Sequence, residues 1–203
     1  MGIEIFQFGL PESSVAIRDC INGKLNGQIL QSVGQLIEGI CDGEDGGEFI
    51  QDLGDPYSPE EIQAIRESYE IVQQSPHFLA VNFDGASRGH DHWAYLLGLV
   101  DDTEEKAVSK SAVFGSQTIS ETAIATQGIP IRWSDANQVS LIDNFLRRAE
   151  FDDIRENFED FPTGLYKRRS SDQLEGCLHE ISRMATMFRL AAEAGLAVVT
   201  VLD

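Results

Sequence analysis

Apolar residues recur at three- and four-residue steps towards the C-terminal end of the chain and then become continuous. Between 174 and 192 they mark one face of a helix, and polar side chains such as Glu175 and Arg183 mark the other. Gly195 stands just after this predicted helix, where helices commonly end in a residue with the left-handed backbone conformation. Because the run 196–202 is apolar at nearly every position, it predicts a strand that is buried on both faces.

Similar patterns predict elements in the first half of the chain. Apolar residues in 3–8 indicate an opening strand, and the spacing through 25–40 indicates a helix. Ser58 and Glu61 have the spacing of a capping box, which predicts that a helix begins there. The run 78–83 is typical of a short strand.

Further along the chain, the pattern predicts a helix from His90 and a short strand at 111–114. Ser134 is placed to cap the next helix. Together these elements predict an α+β fold in a single domain over residues 1–203. We expect a mixed sheet with several packed helices, including the long C-terminal helix that is followed by the buried C-terminal strand.

The charge of the chain is strongly unbalanced. Its 34 acidic residues outnumber the 15 lysines and arginines, which gives a net charge of −19. A chain this acidic repels the phosphates of nucleic acid and of anionic membranes, so neither is an expected partner. A basic protein is the partner that such a charge attracts. Solubility in a crowded cytoplasm is the alternative explanation for the acidic composition.

Three features favour a cytoplasmic protein. No apolar run reaches the roughly 18 residues that a membrane helix needs. The first residues lack the basic and apolar regions of a signal peptide. Cys20, Cys41 and Cys177 are odd in number and have no CxxC spacing. They are therefore expected to be reduced thiols that serve as small buried hydrophobic residues.

The most acidic stretch of the chain, 42–55, is predicted to be a solvent-exposed loop. It partly resembles a calcium loop, but Gly46 and Leu53 stand where the fifth and twelfth positions need oxygen ligands. The EF-hand interpretation therefore fails, and calcium binding stays only as a third hypothesis. A second acidic stretch covers 152–160. Seven acids from the two stretches are the candidate contacts for a basic partner: Asp42, Glu44, Asp45, Glu48, Asp52, Asp152 and Asp153.

Motif searches give no catalytic site. The chain contains no phosphate-binding loop, dinucleotide fingerprint, nucleophile elbow or HExxH sequence, so no catalytic residue, metal ligand or cofactor is predicted. One group of polar and aromatic residues is typical of a small-ligand pocket: His90, His92, Trp93 and Tyr166. Two histidines at i and i+2 do not share a helix face, although both reach one ion at the start of a helix. Capping and surface hydrogen bonds are the ordinary roles of such histidines.

Several segments of the second half follow one another in a characteristic order. A helix carries HWAYLL, a strand pair surrounds Phe114-Gly115, and IRWSDANQVSLIDNFL precedes FDDIRENFEDFPTGLY and the closing FRLAAEAGLAVVTVLD. In this order they resemble the YfbM-like family of uncharacterised bacterial proteins over residues 93–203. The fit is weaker over 1–92, and residues 1–90 are expected to form a divergent N-terminal part. The resemblance implies an α+β single domain in the bacterial cytoplasm, and it implies no catalytic residues.

Two functions from different classes follow from these observations. The leading hypothesis is a non-enzymatic protein that binds a basic partner. An immunity-type protein, which masks the active site of a basic toxin with its acidic stretches, is one concrete form. The alternative is an enzyme, or a small-molecule or metal-binding protein, with a pocket near His90, His92, Trp93 and Tyr166.

Overall fold

The structure is a computed structural model of the 203-residue chain. It describes residues 4–55, 57–74, 76–85, 89–102, 107–126, 128–158, 161 and 171–202. Within these residues, five strands form one sheet in the order β2-β1-β5-β4-β3. Along the chain the strands are β1 Ile5–Leu10, β2 Asn82–Gly85, β3 Gln117–Thr118, β4 Arg132–Ser134 and β5 Ala197–Leu202.

All four strand pairings described in this sheet are antiparallel, so the expectation of a mixed sheet was wrong. Antiparallel sheets commonly leave one face in water, whereas β5 is buried on both faces. Here helices cover both faces, and an antiparallel strand is buried as completely as a parallel one. The α+β class itself is confirmed.

Ten helices surround the sheet in the described part of the chain. The first five are α1 Val15–Ile21, α2 Gln28–Cys41, α3 Gly46–Asp52, α4 Pro59–Gln74 and α5 Pro76–Ala80. The remaining five are α6 His90–Val100, α7 Val108–Phe114, α8 Ala136–Arg148, α9 Phe151–Asn157 and α10 Ser171–Ala194.

The predicted C-terminal helix and strand are confirmed. α10 is 24 residues long, and Gly195 follows it with a φ of 64°, the left-handed conformation that ends many helices. β5 lies between β1 and β4. Val198 belongs to one hydrophobic cluster, whereas Val199 and Val201 belong to the other. The strand therefore joins the two halves of the core.

The helices divide into two groups, one on each face of the sheet. On one face, α6, α8 and α10 pack around Ile5, Phe83 and Val198. On the opposite face, α1, α2 and α4 pack around Phe8 and Val199. Each contact is stabilised by about 25 cal/mol for each Å² of apolar surface removed from water. The second group holds α2 directly on the sheet, and this contact creates the candidate site.

Local capping signals predicted one helix start correctly and another one residue early. At α4, the backbone N–H of Ser58 donates to Oε2 of Glu61 over 2.8 Å, and the N–H of Glu61 donates to Oγ of Ser58 over 3.2 Å. This is the predicted capping box. At α8, the cap is Asp135, which is paired reciprocally with Gln138. Ser134 is instead the last residue of β4.

Two short segments differ from their predicted structure. Most of the run 78–83 lies in α5 or just after it, and β2 begins only at Asn82. Residues 111–114 form the end of α7 instead of a strand. The carboxylate of Asp101 accepts a hydrogen bond from the N–H of Ser109 over 2.9 Å and so caps this helix from beyond its own start. Short apolar runs fit a strand or a buried helix equally well, which explains both errors.

The acidic stretch 42–55 also differs from its prediction as a loop. Its middle forms α3, and Oδ1 of Asp45 accepts a hydrogen bond from the N–H of Gly47 over 2.8 Å at the start of this helix. Asp45 is therefore a helix cap. The acidic side chains of the stretch remain exposed, as expected.

The structure also tests two expectations that came from composition. Cys20 is buried, and this burial raises the pKa of its thiol to about 12. Cys41 is exposed at the end of α2, contrary to the expectation of buried thiols. Among the helices described, none has both the length and the apolar character required to cross a membrane.

Gly27→Ala is expected to lower the free energy of unfolding by about 1–3 kcal/mol. A Cβ atom at Gly27, just before α2, would overlap Cα and Cβ of Ala123. Gly176→Ala is the matched control, since a Cβ there meets no atom within 4 Å. It lies on the exposed face of α10 and is expected to stabilise by about 0.5–1 kcal/mol. Urea unfolding measures both changes, and effects of equal sign would contradict this account of Gly27.

Candidate functional site

An open cavity of about 170 Å³ lies between α2 and the adjacent face of the sheet. The strand register builds one wall, because Phe6 lies opposite Asp84 on one neighbouring strand and opposite Val201 on the other. Residues that lie opposite each other in neighbouring strands project from the same face. α2 builds the second wall. The lining residues are Glu4, Phe6, Gln31, Gln35, Glu38, Asp84 and Val201.

The helical wall consists of three polar residues. Gln31, Gln35 and Glu38 follow one another at steps of four and three residues, which places them along one side of α2. Oε1 of Gln31 accepts hydrogen bonds from the N–H and from the hydroxyl of Thr126, each over 3.0 Å. Gln31 is buried and its position is fixed by these bonds, whereas Gln35 and Glu38 are exposed to solvent.

Gly34 sets the distance between α2 and the sheet. A Cβ atom at this position would lie 2.9 Å from Cδ1 of Phe6, closer than a side chain normally approaches. Phe6 in turn packs against Phe8, with 5.6 Å between the ring centroids. Glycine lowers helix propensity, and its presence inside α2 is explained by this contact between the helix and an aromatic ring.

The cavity carries a concentrated negative charge. Although Glu38 remains exposed to solvent, partial desolvation of its carboxyl group beside the sheet raises its pKa, and four surrounding carboxylates raise it further. We call Glu38 and these four neighbours the acidic rim: Glu4, Glu38, Asp42, Glu44 and Asp84. Within the described part of the chain, no lysine or arginine forms an ion pair with any of them.

This arrangement suits an organic cation. The carboxylates of the acidic rim favour positive charge, while Phe6 and Val201 offer an apolar surface to an aliphatic chain. The described residues contain no group of three or more His, Cys, Asp or Glu side chains that are placed to hold a metal ion.

The structure brings two of the predicted acids of the first acidic stretch to this site. Asp42 and Glu44 belong to the acidic rim. Asp45 caps α3, and Glu48 and Asp52 lie on that helix with their side chains exposed to solvent. The stretch therefore borders the cavity without lining it.

The second acidic stretch is compensated by neighbouring arginines. Arg155 lies 2.8 Å from Asp152 and 2.9 Å from Glu175, so it links α9 to α10. Asp153 lines a separate concavity of about 190 Å³, whose lining also contains Arg148. These predicted residues thus lie among cations, in contrast to the acidic rim.

α6 carries three of the four residues that were predicted to form a small-ligand pocket. Trp93 is 1% exposed and packs edge-on against Phe83, with 5.5 Å between the ring centroids. His92 is 5% exposed, and His90 is partly exposed at the start of the helix. Tyr166 lies outside the described residues. Because Trp93 is part of the core, its indole is not available to a ligand at the surface.

None of the seven residues that line the cavity was among the site residues predicted from the sequence. Glu4 and Asp84 are far apart along the chain, and the pairing of β1 with β2 brings them together near Glu38. Gln31, Gln35 and Glu38 do leave a signal, because polar residues at these steps form a stripe beside the apolar face of a helix. A search for such stripes finds the helical wall but not the strands that face it.

Comparison with known proteins identifies the family. A family model described as a domain of unknown function, DUF1877, matches residues 54–201. The chain belongs to the DUF1877 family. The predicted relationship to a YfbM-like family is thereby confirmed. The match begins after α2, so Glu4 and Glu38 lie before the matched range of DUF1877 and Asp84 lies within it.

A solved structure and a search of curated proteins complete the comparison. The crystal structure of YfbM, a protein of unknown function from Escherichia coli, is similar to this DUF1877 chain. The two sequences are 13% identical, the likeness covers 99% of each chain, and the TM-score is 0.48. No curated protein matches. The DUF1877 description names no activity, so function has to be argued from the site itself.

Glu38→Gln is expected to stabilise the folded protein at neutral pH. The pKa of Glu38 is raised in the folded state, so the folded protein binds this proton more tightly than the unfolded chain does. That stabilisation is fully present below the ordinary glutamate pKa of about 4.3 and is lost as the pH rises through the raised pKa. The melting temperature of the variant should therefore exceed that of the wild type at neutral pH. The difference should disappear once the pH falls below the ordinary glutamate pKa.

Glu156→Gln is the control for this measurement. It removes the same charge from an exposed position on α9, away from the acidic rim. Equal gains in melting temperature from the two variants would attribute the effect to the net charge of the chain and not to the surroundings of Glu38.

Proposed function

We propose that this DUF1877 chain is a non-enzymatic binding protein whose acidic rim docks a basic partner protein. The observation that carries the proposal is the cluster of carboxylates around Glu38 at the cavity between α2 and the sheet. Partial burial raises the pKa of Glu38, and these carboxylates raise it further. The described residues offer this cluster no lysine or arginine within ion-pair distance. Cations from a partner are the natural complement of such a surface.

The charge of the acidic rim suits it to fast and specific association. A surface of one sign steers an oppositely charged partner during diffusional encounter and repels partners of the same sign. Salt screens such attraction over about 8–10 Å at physiological ionic strength, so the binding should weaken as salt is added. An immunity-type protein that masks a basic toxin is one form that this function takes.

The two acidic stretches differ in whether neighbouring arginines compensate their negative charge. Arg155 already engages Asp152 and Glu175, so a partner would have to displace these ion pairs in order to bind α9. At the acidic rim, the described residues form no ion pair with a lysine or arginine that a partner would have to displace. We therefore assign the docking surface to the rim and its neighbours on α3, and not to 152–160.

The residues at the start of α6 give less support to an enzyme pocket than the acidic rim gives to a docking surface. Such a pocket needs side chains that reach a ligand, and Trp93 is buried in the core. His90 and His92 lie on α6 as predicted. Nε2 of His90 lies 3.9 Å from Oδ2 of Asp91, and the ring of His92 packs edge-on against Phe161 with 4.4 Å between the ring centroids.

Affinity capture tests the proposed function. The full chain, immobilised and exposed to native extract at low and at high salt, should enrich a basic protein at low salt and lose it at high salt. The captured protein is then titrated against the triple variant Glu4→Gln, Glu38→Gln, Asp84→Asn. Its affinity should fall by about tenfold or more, because each rim charge contributes to electrostatic attraction.

The matched control is the triple variant Glu150→Gln, Asp153→Asn, Glu156→Gln, which removes three charges from α9 and the residue before it. It should leave the affinity nearly unchanged. Capture that yields no basic protein would refute the proposal. Equal weakening by both triple variants would refute the assignment of the surface to the acidic rim.

A further inference from the structure

We infer that the cavity beside α2 receives one arginine or lysine side chain of the basic partner, an inference that rests on the proposed function. It adds to that function a defined binding site: we call this cavity, with its lining residues, the socket, and one cationic side chain is its occupant. Three features of the site support this inference: the volume of the cavity, the apolar and acidic side chains that line it, and the last turn of α2.

The size of the cavity fits a single side chain. Its volume of about 170 Å³ is below the roughly 300–1,000 Å³ typical of pockets that enclose whole small-molecule ligands. At about 30 Å³ for each water molecule in the liquid, it holds only a handful of waters. One long side chain fills such a space, whereas a helix or strand of a partner does not enter it.

The lining matches the two parts of a long cationic side chain. Phe6 and Val201 provide apolar surface for the aliphatic stem, which arginine and lysine bury readily while their charge remains paired. Glu4 and Asp84 come from the sheet wall and Glu38 comes from the helix wall, so a cation between the walls meets carboxylates on both sides. Phe6 also offers an aromatic ring to the cation.

The end of α2 adds to the attraction. Glu38 lies in the last turn of this helix, where the backbone carbonyls carry a partial negative charge. Helices often compensate this charge with a basic side chain, but α2 has no basic residue in its last turn. A guanidinium or ammonium group in the cavity supplies the missing positive charge.

Nuclear magnetic resonance on the isotopically labelled full chain tests the inference without the partner. The probes are Nα-acetyl-arginine amide and Nα-acetyl-lysine amide, and Nα-acetyl-citrulline amide is the neutral control of similar shape. Saturable shift changes should appear for at least one of the two cationic probes. They should centre on the amides of Phe6, Gln35, Glu38 and Asp84. Citrulline should cause none, since it lacks the charge.

Gln35→Phe separates the cavity from the surface charge. Gln35 is exposed, so the variant is expected to fold, and its own spectrum checks this. It fills the space while leaving every carboxylate in place, and it should weaken probe binding at least tenfold. Glu156→Gln should leave probe binding unchanged.

The outcomes distinguish this inference from the proposed function. Three results would each overturn the socket: binding of the citrulline probe equal to that of the tighter cationic probe, no saturable binding of either cationic probe, or unaltered binding to Gln35→Phe. None of these results depends on the capture experiment. Conversely, an extract that yields no basic partner overturns the proposed function, while the probe titration still reports whether the cavity binds a cationic side chain, so the two failures are distinguishable.

Discussion

The fold depends above all on β5, which is paired on both edges and covered on both faces. Val198 faces the helices around α10, while Val199 faces those around α2, so both halves of the core pack on the same strand. Polar side chains also join the elements around this strand. Nε2 of Gln7 donates to Oγ1 of Thr200 over 3.2 Å and to the carbonyl of Ala112 over 2.9 Å, which ties β1, β5 and α7 together.

Repulsion among the carboxylates of the acidic rim lowers the stability of the folded protein. Most of the ion pairs described elsewhere in the chain set an arginine beside an acid, as Arg147 does with Asp143 and Arg183 with Glu180. Around Glu38 the carboxylates are left to repel one another, and Gly34 brings α2 close to the sheet at this point. A local penalty that is confined to one concave site is typical of a binding surface, where function and folding make opposite demands.

The sequence predicted the elements whose signals are local. Periodicity found α10 and β5, and residue spacing found the capping box of Ser58 and Glu61, because each signal lies within the element itself. α7 was missed because its short apolar run fits a strand as well as a buried helix, and because its cap, Asp101, stands outside the helix. The candidate site was missed for a related reason. Asp84 reaches Phe6 only through strand register, and no local pattern in the sequence encodes which strands become neighbours.

The pairing of β1 with β5 has a consequence for how the protein is made. Gln7 and Thr200, which bond across this pair, are separated by 193 positions along the chain. Contacts of such long range slow folding, because the entropy of closing the intervening chain is lost before the contact can stabilise the fold. A ribosome completes β5 after every other described element. The helices of both groups therefore emerge before the strand that buries their apolar faces, and apolar surface that is exposed in this way favours aggregation until β5 is in place.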